Sequence, residues 1–143
     1  MKQPFIGGNG LVSPKLFDIA KEAADSTIVG SPWSAENTSA VNKAFVAGYQ
    51  AKFKADPDQF AAQAYDAMHI MAEALAHVKL SGNLQKDREA LRVALPGVKW
   101  TGATGPFSFR PAPASKDGKP VGFDAQQDAI VNIAKGNKFV LLK

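Results

Sequence analysis

The sequence predicts an α/β fold with a strand–helix–strand start, a helical middle and antiparallel strands at the C-terminus. Three observations carry this. Two short apolar runs flank a helix-start signal within the first 33 residues. Apolar and aromatic residues then recur at helical spacing over roughly residues 39–78. From Val98 onward the pattern turns to short alternating runs separated by glycine turns.

Phe5-Ile6 ends in Gly7-Gly8-Asn9-Gly10, which reads as a strand entering a glycine-rich loop. Ser13-Pro14 then starts a helix, because serine accepts from free helical N–H groups and proline fits the first position. That helix is expected from about Pro14 to Ala24, with Leu16, Ile19, Ala20 and Ala23 inward. Thr27-Ile28-Val29-Gly30 is a second strand, closing at Ser31-Pro32-Trp33. The spacing implies a βαβ unit with parallel strands.

Val41, Phe45, Tyr49 and Phe53 recur every four residues and mark one face of a helix from about Ser39 to Lys54. Asp56-Pro57-Asp58-Gln59 predicts the next start, with Asp56 as cap and Gln59 reaching back to it. The helix that follows is expected to bury Phe60, Ala64, Tyr65, Met68, Met71, Ala72, Leu75 and Val78. A shorter one runs from about Lys86 to Leu95 and stops at Pro96-Gly97. Val98-Lys99-Trp100 and Phe107-Ser108-Phe109 read as strands around a turn at 102–106. Residues 111–121 read as a polar loop. Ala129–Ile133 and Lys138–Leu142 form a hairpin through Lys135-Gly136-Asn137.

The chain has 143 residues, enough for one core, and 45% apolar with 21% charged content is that of a folded domain. Its net charge of +4 is spread along the sequence, so no clustered basic face for nucleic acid is expected. There are no cysteines, which excludes disulfides and thiolate chemistry. The first residues lack the apolar stretch of a signal peptide, which on its own predicts a cytoplasmic chain.

Gly7-Gly8-Asn9-Gly10 matches neither a phosphate-binding P-loop nor a dinucleotide fingerprint. It reads either as a tight turn or as a ligand-contacting loop at the carboxyl end of a strand, where open α/β sheets bind ligands. Trp33 follows a strand pointing the same way, and reads either as core or as a border of the same cleft. His69 and His77 lie roughly two helical turns apart, too far to share a metal. Asp66, Glu73 and Asp87 form no acid–base pair, and Ser13 and Ser108 sit in no nucleophile motif. No catalytic residue, metal site or cofactor is expected, and the candidate ligand-binding residues are Gly8, Asn9, Gly10 and Trp33.

Phe5 to Gly10, Thr27 to Trp33, Ala62-Gln63-Ala64-Tyr65-Asp66-Ala67, Thr104 to Phe109 and the Gly136-Lys138-Phe139-Val140 ending together resemble the periplasmic leucine/isoleucine/valine-binding proteins. The resemblance implies a type I periplasmic-binding fold of two α/β lobes, of which this chain would be the C-terminal part. It implies a periplasmic solute-binding component that delivers a small organic solute, an amino acid, aromatic acid or carboxylate, to the membrane permease of an ABC transporter. On that template residues 1–33 belong to the second lobe, 34–98 pack on the first lobe, and 99–143 return to the second.

Two departures stand out. The position of Asn9 is commonly a carboxylate in the amino-acid binders, pairing with the ligand's ammonium group. An amide cannot form that charge-assisted pair, which shifts the expected ligand away from a standard amino acid. Arg110 stands where the family usually has aspartate. With no first-lobe sheet, an apolar helix face is expected to stay bare and drive homo-oligomer formation, a dimer by exchange of segments. The competing readings are a stand-alone self-associating module and a small α/β enzyme using the glycine loop.

Overall fold

The strand–helix–strand start is present in the computed structural model, which describes residues 3–119 and 121–142; Met1, Lys2, Pro120 and Lys143, at the ends or within loops of the expected segments, lie outside the described residues. Strand β1 (Ile6–Gly7) pairs in parallel with β2 (Ile28–Ser31), as the spacing predicts. Helix α1 (Lys15–Ala20) connects them, continued by a 3-10 turn over Lys21–Ala24.

The inward face of this helix differs from the expectation. Phe17 and Ala24 are buried against Ala134, with Leu16, Ala20 and Phe139 packed around them, whereas Ile19 is 83% exposed. The short helix and its tightening into a 3-10 turn rotate the buried face toward Phe17.

Helix α2 (Ala40–Phe53) is capped by Ser39, whose Oγ accepts from the N–H of Asn42 at 3.2 Å. It ends at Lys54 in the left-handed conformation. Helix α3 (Gln59–Ala76) starts two residues later than expected. Asp58, not Asp56, has extended backbone and accepts from the N–H of Ala61 at 2.9 Å. Asp56 instead accepts from the Gln50 amide at 2.7 Å.

The buried row of α3 is Gln59, Ala62, Asp66, Ile70 and Ala74. The row expected inside is turned outward: Phe60, Met68, Met71 and Leu75 are exposed, Met68 by 71%. Asn83 caps α4 (Leu84–Ala94), and Asp87 on that helix accepts from the N–H groups of Ser81 and Gly82 and from the Ser81 hydroxyl. These bonds hold the Asp87 carboxyl below its ordinary range.

Strands β3 (Trp100–Gly102), β4 (Gly105–Pro111) and β5 (Phe123–Gln127) form an antiparallel sheet of their own. Strand β5 falls in a stretch, beyond the 111–121 loop and before Ala129, to which the sequence pattern assigns no element. Its run Phe-Asp-Ala-Gln-Gln alternates over four residues only and holds a single large apolar side chain, and backbone pairing to β4 from Phe107↔Gln127 to Pro111↔Phe123 makes the strand. Ile70, Ala74 and Val98 are buried beside this sheet, with Leu91, Leu95, Trp100, Phe107 and Phe109 packed on them.

Strands β6 (Ile130–Lys135) and β7 (Lys138–Leu141) form the expected hairpin. Its two-residue turn places Gly136 and Asn137 at φ 56° and 61°, as a primed turn requires. The hairpin joins the first sheet in the order β1-β2-β6-β7. Beyond residue 99, therefore, only β6 and β7 pair with the opening strands, and β3 to β5 lie on the helical side. The fold is α/β: a partial lobe with a βαβ start, a helical middle and antiparallel C-terminal strands. Among the described residues no helix is long and apolar enough to cross a membrane.

Candidate functional site

The glycine loop leaves the carboxyl end of β1 and turns through a single 3-10 turn over Asn9–Leu11. Gly8, Asn9 and Gly10 are all exposed. A Cβ built on Gly8 or Gly10 would meet nothing within 4 Å, so the space over the loop is open. Gly7 is the crowded one: a Cβ there would strike the Leu11 side chain.

The loop is held from behind by Gln59, which the sequence pattern marks only as part of a helix start. Gln59 is fully buried, and its Nε2 donates to the Asn9 carbonyl at 2.6 Å. That carbonyl also accepts from the N–H of Val12 at 3.0 Å. On its other side Gln59 Oε1 lies 3.0 Å from Ser31 Oγ. The Ser31 hydroxyl also lies 2.8 Å from the Trp33 carbonyl, sharing its one proton between two acceptors, and accepts from the Trp33 N–H at 3.2 Å. The glycine loop, the end of β2 and the start of α3 are thus tied through two buried polar side chains.

Trp33 is 5% exposed and packs edge-on to Phe45, with ring centroids 6.2 Å apart. Its indole N–H donates to Asn42 Oδ1 at 2.6 Å, and the Asn42 amide donates to the carbonyl of Asn37 at 2.8 Å. Asn42 therefore folds the passage between β2 and α2 around itself. Trp33 also lines a cleft of about 480 Å³ that Gly8, Asn9 and Gly10 do not line. The structure connects the four sequence candidates through Gln59 and Ser31 without bringing them into one cavity.

A second buried polar center fixes the helical side. Asp66 accepts from the N–H of Ala103 at 2.9 Å, from the N–H and hydroxyl of Thr104 at 2.8 and 2.6 Å, and from the Trp100 indole at 3.4 Å. Four donors satisfy a buried carboxylate, which otherwise would be costly. His69 stacks on Trp100, and His77 meets Glu73. Among the described residues no group of three or more candidate metal ligands assembles.

The sequence profile of the periplasmic binding protein family matches residues 2–123. No curated protein matches the chain. Among solved structures, the fold is similar to a leucine-binding protein from Thermotoga maritima, with TM-score 0.78 and 23% identity over 100% of this chain and 37% of that one. A branched-chain amino-acid transporter substrate-binding protein from Streptococcus pneumoniae, in complex with isoleucine, aligns with TM-score 0.72 and 28% identity, over 96% of this chain and 36% of that one. An ABC-transporter solute-binding protein from R. palustris, in complex with benzoate, aligns with TM-score 0.71 and 27% identity, over 97% of this chain and 35% of that one. The chain thus spans little more than a third of the length of the proteins it resembles. With the profile covering most of its length and this fold, the chain belongs to the periplasmic binding protein family.

Proposed function

We propose that this chain is the C-terminal part of the solute-binding component of an ABC-type uptake transporter, delivering a small organic solute to a membrane permease from the periplasm. The observation that carries the reading is the exposed Gly8-Asn9-Gly10 loop at the carboxyl end of a parallel strand, within a chain matched by the family over residues 2–123. Gly8, Asn9 and Gly10 contact the solute, and Trp33 sets the wall behind them through Ser31 and Gln59.

Asn9 is neutral, so the loop offers hydrogen bonds and no counter-charge for an ammonium group. This favors an aromatic acid or other carboxylate over an amino acid. The relatives at 27–28% identity include one bound to benzoate and one bound to isoleucine, and both classes belong in the test.

Residues up to 33 with β6 and β7 form part of one lobe, and helices α2 to α4 with β3 to β5 belong to the other. The exposed row of α3 faces what the rest of that lobe supplies. In this chain by itself, the row associates with a second copy.

A thermal-shift series with benzoate, isoleucine and small carboxylates tests the reading, since binding to the folded state raises its stability with the logarithm of ligand excess. The expected result is a shift with benzoate or a related acid that Asn9→Ala removes. A shift that persists in Asn9→Ala would move the solute off the loop. A flat series for a chain joined to a complete first lobe would overturn the proposal.

A further inference from the structure

We propose a second site, distinct from the glycine loop: the cleft of about 480 Å³ beside Trp33 binds an organic ammonium ion with an apolar body. Three independent observations point to that chemistry.

The first is size and lining. The cleft is within the range of small-molecule pockets. It lies where α1, the β2–α2 passage, the start of α3 and the last hairpin meet, and buried Val12, Phe17 and Trp33 form its apolar floor with half-buried Phe139 beside them. Aromatic faces suit both an apolar chain and a cation.

The second is charge. Glu36, Asp56 and Asp58 line the cleft, against Lys138 as its one basic residue. Each of the three carboxylates accepts a neutral hydrogen bond, from the Leu141 N–H, the Gln50 amide and the Ala61 N–H respectively. None is ion-paired: the four salt bridges among the described residues all lie elsewhere. In a chain of net charge +4, this is a local excess of negative charge without a counter-ion.

The third is an orphaned acceptor. Asn132, 1% exposed, lines the cleft; its Nδ2 donates to the Trp33 carbonyl at 3.2 Å, while its Oδ1 has no hydrogen-bond partner among the described residues. A buried acceptor of this kind calls for a donor. An ammonium group supplies donors to Asn132 and charge to the carboxylate rim at once. An anion would satisfy neither.

Isothermal titration of the chain with phenethylammonium, and with 3-phenylpropionate as the anionic counterpart of similar shape, tests the site. Saturable one-site binding of phenethylammonium alone is expected. The surface double variant Glu36→Gln/Asp56→Asn, which leaves the buried floor intact, should weaken it by about tenfold or more through loss of charge-assisted contacts. In amide NMR spectra the Asn132 side-chain and Trp33 indole resonances should move on titration.

Asn9→Ala should leave phenethylammonium binding unchanged, which separates this site from the solute seat on the loop. Absence of saturable binding would overturn the proposal, as would equal affinity for 3-phenylpropionate or an unaltered affinity in the double variant. Loss of binding in Asn9→Ala would overturn it too, by placing the cation at the glycine loop.

Discussion

Gln59 donates to the Asn9 carbonyl at 2.6 Å across fifty positions of sequence, and this bond holds the glycine loop to the start of α3. Its other amide atom meets Ser31, so one buried side chain spans the ends of both parallel strands. Replacing Gln59 by leucine keeps much of the volume and strips both partners. The expected cost is about 1–3 kcal/mol, from the part-buried Asn9 carbonyl and the buried Ser31 hydroxyl each losing one of their bonds. Urea denaturation measures it, and an unchanged midpoint would show that the bridge carries nothing.

Asp66 and Gly102 form a coupled pair. A Cβ on Gly102 would fall onto the Asp66 carboxylate and the Trp100 indole, so Gly102→Ala should destabilise by about 2 kcal/mol or more through displaced hydrogen bonds. Gly48, mid-helix in α2 with nothing within 4 Å of its built Cβ, is the contrast: Gly48→Ala should stabilise by up to about 1 kcal/mol. Thermal melts of the two variants should shift in opposite directions.

Asp66→Ala should cost about 3 kcal/mol or more, since it strands the N–H groups of Ala103 and Thr104 inside the protein. Asp66 and Gly102 share partners, so the double variant should cost less than the sum of the singles. Additivity in a double-mutant cycle would contradict the coupling.

Asp87 gives a pH signature. Its carboxyl is held below the ordinary range by bonds from Ser81, first through the backbone N–H and then the hydroxyl, and from the Gly82 N–H. A depressed carboxyl stabilises above its unfolded pKa, and that contribution fades as pH falls through the lowered folded value. Hydrogen exchange at the Ser81 and Gly82 amides should therefore quicken, relative to neighboring amides, on acidification through and below the usual carboxylate range. Asp87→Asn should remove that extra acid sensitivity.

The exposed α3 row predicts association. Phe60, Met68, Met71 and Leu75 repeat along one side of the helix and all stand out of the core. Light scattering should show a mass rising with concentration, and Met68→Lys with Leu75→Lys should return it to that of a single chain. A wild-type mass fixed at one chain over the whole range would rule out this role for the row.

That same row explains where the sequence was readable and where it was not. The parallel pair β1–β2, the existence of α2, α3 and α4, and the Gly136-Asn137 hairpin follow from local chemistry: apolar runs, caps and a two-residue turn. The orientation of α3 does not. Hydrophobicity selects Met68 and Leu75 for the interior, but Gln59 and Asp66 occupy it because distant backbone groups supply their partners. Strand β5 was hidden for a similar reason, since pairing and not side-chain pattern creates it. At the candidate site, glycines and Asn9 were visible as a motif, while Gln59, Ser31 and Asn132 became meaningful only through contacts remote in sequence. A glutamine opening a mostly apolar helix was the one available signal.

Between β5 and β6 only Asp128 and Ala129 separate one sheet from the other. The earlier passage, from Pro32 to Ser39, is longer and is folded around Asn42. The two connections therefore have unequal mechanical character: a short taut link and a braced arc side by side. Any swing of one sheet against the other turns about the taut link, and the arc must flex to follow. An inserted residue at 128–129 would slacken the axis of that swing, whereas the same insertion in the distant 112–119 turn would leave it untouched.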